Sequence, residues 1–309
     1  MNKIFSLLLL ILFNLNAISL NEALENIEKK HYSLAIEQLN TLAIDDPVAQ
    51  FNLGLLNEKG LGVPKNNRLA FFWYKMSSDN GNMHAQNNLA HMYFLGIGVK
   101  KDISKAKQLF EKSANQGYGL AQLNLAMIYE RNPKKDNLKK AFDLYKKAAQ
   151  KNILIAQNNL ASMYYYGKGT KKDKNKALFW YKSASNKGNE IAQYNLAMIY
   201  LTGDTVQRDF NKAIYYLEKS SLKGYKNSII KLADIYREGT KVEQNYKKAF
   251  ELYLKGANLN DKKAMYYLGL FYYNGYGVKK DLFKAREWLK KAKQLGHERS
   301  KIFLQTHKF

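Results

Sequence analysis

A 36-residue period runs through most of this chain. The stretch AQNNLAHMYFLGIGVKKD at residues 85–102 returns as AQNNLASMYYYGKGTKKD at residues 156–173, with thirteen of eighteen positions identical. Counterparts of its first residue lie 36, 36, 35, 36, 36 and 36 residues apart, at Ala49, Ala85, Ala121, Ala156, Ala192, Ser228 and Ala264. A fixed period of this length is typical of solenoids. It predicts seven repeats: 49–84, 85–120, 121–155, 156–191, 192–227, 228–263 and 264–299.

Each repeat contains two helical patterns, described here by positions counted from its first residue. Leu89, Ala90 and Tyr93, at positions five, six and nine, give the first helix an apolar face. The small residue at position six lets the second helix approach closely. A glycine at position twelve can end the first helix in the left-handed conformation, and an aspartate such as Asp102 can N-cap the second. Five repeats turn back at a glycine at position thirty-three. Each repeat is therefore a predicted helical hairpin that must stack on its neighbours.

This pattern resembles the Sel-one-like repeat, a longer-turn relative of the tetratricopeptide repeat. The resemblance covers residues 49–299, about four fifths of the chain, and residues 85–117 match almost throughout. It implies an all-α fold, namely a right-handed α-solenoid of stacked helical hairpins, or tetratricopeptide-like superhelix. Two loops depart from the pattern. The third repeat reads ERNPKKDN and is one residue short, and the sixth has Lys241 where the second loop glycine belongs. We expect both loops to be irregular.

The first nineteen residues are predicted to be a secretory signal peptide. A single early cation, Lys3, precedes an apolar run of about ten residues from Ile4 to Phe13. Ala17 and Ser19 are small residues suited to cleavage before the next residue. An uncleaved membrane anchor is the alternative, although the run is shorter than the roughly 20 residues of a membrane span. The pattern favours export to the periplasm or the medium.

Two further segments flank the repeats and are predicted to cap the stack. Residues 20–48 contain YSLAIEQL, which resembles the second helix of a tetratricopeptide repeat, and form a predicted N-terminal capping hairpin. Residues 300–309 begin like another first helix and form a predicted C-terminal cap. Such caps cover the apolar faces that the terminal repeats would otherwise expose.

The first helices are predicted to line a concave groove that binds a partner. By analogy with tetratricopeptide repeats, positions three, seven, ten and eleven face this groove. They remain rich in aromatic residues, methionine and leucine, which suits protein or peptide capture. The alternative is that these side chains belong to the core. The predicted groove residues are Phe51, Leu55, His91, Phe94, Met127, Tyr165, Tyr166, Tyr194, Met198, Tyr266, Leu270 and Tyr273.

The loops between the two helices of a repeat carry paired lysines in a chain of net charge +24. Equivalent loops of a solenoid emerge along one edge, so the pairs predict a basic edge. An anionic envelope surface, an acidic glycan or an acidic protein would suit it, and nucleic acid is not expected for an exported chain. A lysine-rich composition without function is the alternative. The residues are Lys100, Lys101, Lys134, Lys135, Lys171, Lys172, Lys279 and Lys280.

No residue pattern in the chain predicts an enzyme, a metal site or a cofactor. The sequence has no cysteine, and its five histidines lack metal-ligand spacing. The GLGV, GIGV and GYGV stretches join helices and are not phosphate-binding loops after a strand. The resemblance implies an interaction scaffold or adaptor in the bacterial cell envelope. The enzymatic alternative is the family's cysteine-rich branch, described as penicillin-binding or β-lactamase-like hydrolases, whose paired cysteines this chain lacks.

Overall fold

The computed structural model describes residues 19–307, and this range contains seventeen helices and no strand. The predicted signal peptide lies outside the described residues except for Ser19, whose hydroxyl accepts a hydrogen bond from the Glu22 N–H and so caps the first helix. The helices are α1 (Leu20–Glu28), α2 (Tyr32–Leu42), α3 (Pro47–Lys59), α4 (Asn67–Asp79), α5 (Met83–Leu95), α6 (Ile103–Asn115), α7 (Gly119–Arg131), α8 (Lys135–Gln150), α9 (Leu154–Tyr166), α10 (Lys174–Asn186), α11 (Glu190–Thr202), α12 (Phe210–Leu222), α13 (Lys226–Glu238), α14 (Tyr246–Asn258), α15 (Lys262–Asn274), α16 (Leu282–Gln294) and α17 (Glu298–Thr306).

Consecutive helices pack as hairpins, one hairpin to each predicted repeat, from α3–α4 to α15–α16. The described residues divide into two compact units, one up to residue 153 and one from residue 154. Within each unit every helix packs on the next one along the chain. The hairpin α1–α2 packs on α3 in the first unit, and α17 packs on α16 in the second. The predicted all-α fold of stacked helical hairpins is confirmed.

The turns follow the predicted residues closely. All six glycines at position twelve have φ between 66° and 79°, so they end the first helices in the left-handed conformation as predicted: Gly60, Gly96, Gly167, Gly203, Gly239 and Gly275. Asn152 and Asn260 stand where other repeats have glycine at position thirty-three and adopt the same conformation, with φ of 62° and 56°. Asparagine tolerates this region better than other residues that carry a Cβ atom. The glycine-free third repeat is irregular: α7 ends at Arg131, the following Asn132 has φ of −115° instead of the left-handed conformation, and α8 has sixteen residues.

A close contact between positions six and twenty-six holds each hairpin together. A Cβ atom added to Gly54 would lie 2.5 Å from the ring of Tyr74, and one added to Gly269 would lie 2.5 Å from Leu289. The small residue at position six is therefore required by the approach of the second helix, as predicted. The buried side chains that meet it are Tyr74, Phe110, Tyr145, Tyr181, Leu217, Tyr253 and Leu289.

The tyrosines at position nine are less buried than the sequence pattern predicts. Tyr93 and Tyr164 are half-buried, and lysine amino groups lie 5.4 Å and 5.6 Å from their ring centres. Tyr200 is the exception and is buried. The assignment of position nine to the apolar face of the first helix is therefore corrected for Tyr164, whose ring is not fully enclosed, because the side chains at position twenty-six of the second helices fill the centre of each hairpin.

The N-cap aspartates predict a loss of stability in acid. Asp173, Asp209 and Asp281 cap second helices, and in each the backbone N–H three residues later donates to the carboxylate at 2.9 Å. That hydrogen bond, supported by a lysine, holds each pKa below its ordinary value. A pKa lowered by folding stabilises the protein above the unfolded value of about 3.9, and this contribution is lost as pH falls through the folded value.

Thermal melts at pH 6 and pH 3 check this expectation in the wild type and in the triple variant Asp173→Asn, Asp209→Asn, Asp281→Asn. Asparagine caps the equivalent helices α4 and α14, so the variant should keep most of its stability at pH 6. It should lose less than the wild type on acidification. An equal fall in melting temperature for both proteins would contradict the assignment.

Candidate binding surface

Among residues 19–307, hollows open between the first helices of neighbouring repeats, and three of them are well formed. The first lies between α5 and α7, the second between α9 and α11, and the third between α13 and α15. Their volumes are about 110, 340 and 450 Å³. They are lined mainly by positions four, seven, eight, ten and eleven of the first helices. We call this side of each unit the first-helix face.

The first hollow is apolar and has a cation at its rim. Phe94, Phe110, Met127 and Ile128 supply most of its wall, and His91, Asn124 and Arg131 complete it. The guanidinium of Arg131 lies 5.1 Å from the ring centre of Phe94. The side chain of Met127 is 40% exposed. An apolar group entering this hollow would meet two phenylalanine rings, one thioether and one guanidinium.

The second hollow is lined by tyrosines and carries no unpaired charge on its wall. The Tyr165 hydroxyl donates to the Asp204 carboxylate, which also pairs with the Lys174 amino group at 2.9 Å. Burial, together with this hydrogen bond to the carboxylate, raises the pKa of Tyr165 to about 12. Tyr166 packs edge-on against Tyr165, at 4.9 Å between ring centres, and is 64% exposed. Tyr166 is therefore the ring most available to a partner.

Buried tyrosines hydrogen-bond acidic groups of the first-helix face. The Tyr74 hydroxyl donates to Glu58 at 2.6 Å, and the Tyr145 hydroxyl donates to Glu130 at 2.7 Å. In the sixth repeat the Tyr253 hydroxyl donates to Asp234 at 2.8 Å. Burial, as the largest cause, and the neighbouring carboxylates raise the pKa of Tyr74 and Tyr253. These hydroxyls tie the carboxylates to the helix behind them.

Eight of the twelve predicted groove residues line the three hollows, namely His91, Phe94, Met127, Tyr165, Tyr166, Tyr194, Met198 and Leu270. The other four pack against neighbours: Phe51 on His84, Tyr266 on His297, Tyr273 on Phe303, and Leu55 beside the Tyr74 cluster. His91, Met127 and Tyr166 are exposed and the rest are half-buried. A ring in an open groove would be freely solvated in the unbound protein, but Phe94 and Tyr165 are partly covered. Their role in binding stays a prediction.

Sequence reasoning passed over the asparagines at position four. They recur in five successive repeats, as Asn52, Asn88, Asn124, Asn159 and Asn195. The Asn124 amide donates to Asn87 at 3.0 Å, and the Asn195 amide donates to Asn158 at 2.9 Å, so side-chain amides link neighbouring repeats. The repetition was visible in the sequence. It gives the first-helix face polar groups that can hydrogen-bond a partner's main chain.

The predicted basic edge is exposed at every position. All eight lysines are solvent-accessible and lie in or beside the segments that join first and second helices. None of them forms an ion pair within residues 19–307. Their charge therefore remains available to an anionic partner.

Within residues 19–307, no group of three or more histidine, aspartate or glutamate side chains is placed to hold a metal ion. No helix in the same range is both long enough and apolar enough for a membrane span.

The family model of the Sel1 repeat matches seven segments of the sequence, residues 47–82, 84–118, 119–153, 154–189, 191–225, 227–261 and 262–297. The chain therefore belongs to the Sel1 repeat family. Proteins with this fold are generally non-catalytic scaffolds for protein–protein interaction.

Two solved structures are similar over most of the chain. A Sel1 repeat protein from Oxalobacter formigenes is 28% identical, with 88% of this chain and 79% of that chain covered and a TM-score of 0.73. The protein c5321 of uropathogenic Escherichia coli, described as a protective antigen with an SLR fold, is 27% identical. The match covers 88% of this chain and 67% of the c5321 chain, with a TM-score of 0.62. No curated protein matches the sequence.

Proposed function

We propose that this chain is an exported scaffold of the bacterial cell envelope that binds another protein or a peptide on its first-helix face. One observation carries the proposal. The first-helix faces combine solvent-open hollows with exposed apolar side chains, of which Tyr166 is 64% exposed and Met127 is 40% exposed. The general role of the family as a scaffold supports it.

The chemistry of this face suits a polypeptide. Aromatic residues and methionine are enriched where proteins bind each other, because they bury a large apolar area. The asparagine amides beside them can donate to and accept from a partner's peptide groups. The hydroxyls and amides fix the orientation of a segment whose apolar side chains enter the hollows.

Export rests on the N-terminal sequence. Residues 1–19 have the charged start, short apolar run and small residues of a signal peptide. Cleavage before Leu20 would remove the Ser19 cap of α1 and leave the new α-amino group at the helix start. In the envelope, the basic edge would attract the chain to anionic surfaces at about 1 kcal/mol per lysine close to them. No observation favours the hydrolase alternative, and it is not part of the proposal.

Recovering the tagged chain from its native cell envelope tests both parts of the proposal. N-terminal sequencing of the recovered chain should begin near Leu20. A co-purifying protein, once purified, should bind residues 20–309 saturably in a calorimetric titration. An intact Met1 on chain that stays with membranes in high salt would contradict export. A co-purifying protein that fails to bind in purified form would contradict the scaffold role.

A further inference from the structure

We infer that the first hollow, between α5 and α7, takes an acidic peptide segment with one leucine-sized apolar side chain at its centre. This inference rests on the proposed function and names the chemistry of the ligand for one site. It follows from the size of the hollow and from the unpaired cation at its rim, in a segment of net positive charge.

The size of the hollow determines which apolar side chain, called the anchor, can enter it. Its volume of about 110 Å³ is smaller than the roughly 150 Å³ of a cavity that binds benzene. A branched aliphatic side chain fits better than an aromatic ring. The wall is mostly apolar, and the exposed Met127 can adjust its conformation to the side chain that enters. The Asn124 amide lies within the lining and offers a hydrogen bond to the segment's main chain.

The charge of Arg131 at the rim determines which peptide residues are favoured beside the anchor. Arg131 is exposed, and no carboxylate within residues 19–307 pairs with it. Its guanidinium rests on the Phe94 ring, which restrains it while the N–H groups at its edge stay available. Planar guanidinium groups bind carboxylates through two parallel hydrogen bonds. An aspartate or glutamate beside the apolar anchor would satisfy these donors.

The charged residues around Arg131 leave this segment with a net positive charge. Glu130, next to Arg131 in the chain, already accepts the Tyr145 hydroxyl at 2.7 Å. Lys134 and Lys135 follow and are exposed, and Asp136 comes after them. Three cations and two carboxylates give residues 130–136 a net charge of +1. The site therefore selects against a basic segment as well as for an acidic one.

The other two hollows lack this combination. In the second, Lys174 beside the tyrosines is paired with Asp204 at 2.9 Å. In the third, Arg237 is paired with Glu238 at 2.9 Å and also donates to the Tyr253 hydroxyl. An acidic segment would gain less binding free energy at these sites, because their cations are already paired with carboxylates of this chain. The preference for acidic flanks is thus expected at the first hollow.

Two methionines make the test specific to each site. Met127 lines the first hollow and Met198 lines the second. The full chain after residue 19, labelled with ¹³C at the methionine methyl groups, is titrated with the peptide acetyl-Asp-Asp-Leu-Asp-Asp-amide. We expect a saturable shift of the Met127 methyl signal and none at Met198. Replacing the leucine by alanine, or all four aspartates by asparagine, should weaken binding at least tenfold, since either change removes one half of the recognition.

Protein variants separate the site from bulk charge. Arg131→Gln should weaken binding of the aspartate peptide at least tenfold and leave the asparagine peptide unchanged. Arg286→Gln removes the same charge from an exposed position on α16 and should change neither affinity. An absent Met127 shift, an equal affinity for both peptides, or an equal effect of both arginine variants would overturn the inference. None of these outcomes touches the proposed function, which the titration with the co-purified envelope protein tests separately.

Discussion

Replacing Tyr74 by alanine is expected to lower the free energy of unfolding by about 3–5 kcal/mol, the range for large core truncations. The ring is fully buried and packs in one cluster with Leu89 and Met92 of the following repeat. Its neighbour Gly54 has no side chain that could fill the space. The cavity would therefore stay open and would separate two repeats that stabilise each other.

The conservative variant Tyr74→Phe isolates the hydroxyl from the ring. It keeps the ring and removes the hydroxyl, which donates to Glu58 and also interacts with the Asn88 side chain, and Phe110 shows that this position accepts phenylalanine. We expect a loss of about 1 kcal/mol, as for a typical hydrogen bond. Urea unfolding followed by circular dichroism measures both losses. A loss below 1 kcal/mol for Tyr74→Ala would show that the contact with Gly54 does not hold the hairpin together.

Local chemistry made much of this fold predictable from the sequence. The glycine at position twelve and the aspartate N-caps act on backbone groups within a few residues of themselves. The sequence pattern was therefore enough to locate these turns and caps. The same holds for the irregular turn after α7, where the glycines are missing. Asn152 shows how a turn survives such a loss, because it adopts the left-handed conformation itself.

The burial of the tyrosines could not be predicted in the same way. Tyr164 and Tyr181 both recur with the period of the repeat, and both lie on helix faces rich in apolar residues. Which ring is enclosed depends on the separation of the packed helices. This separation in turn depends on the small residue opposite the ring. The bond between Tyr165 and Asp204 joins residues 39 positions apart. Such a pairing has no local signature in the sequence.

Tyr166→Ala is expected to weaken partner binding by about 2 kcal/mol or more, which is roughly thirtyfold, if the ring is a hot spot of the interface. The ring is 64% exposed and touches Tyr165 at its edge. Its removal should change the free energy of unfolding by no more than about 0.5 kcal/mol, as at other surface positions. Tyr165 is a poorer probe, because removing its side chain would also remove the hydrogen bond that the Asp204 carboxylate accepts from its hydroxyl.

Phe179→Ala is the matched control for this prediction. Phe179 is 63% exposed and lies in the same repeat, but on the second helix, where it packs edge-on against Trp180. Calorimetric titration of the co-purified partner into wild type, Tyr166→Ala and Phe179→Ala tests most directly whether the first-helix face binds. We expect a thirtyfold or larger loss of affinity for Tyr166→Ala and wild-type affinity for Phe179→Ala. Wild-type affinity for Tyr166→Ala together with weakened binding by Phe179→Ala would place the partner on the second helices and contradict the proposed binding surface.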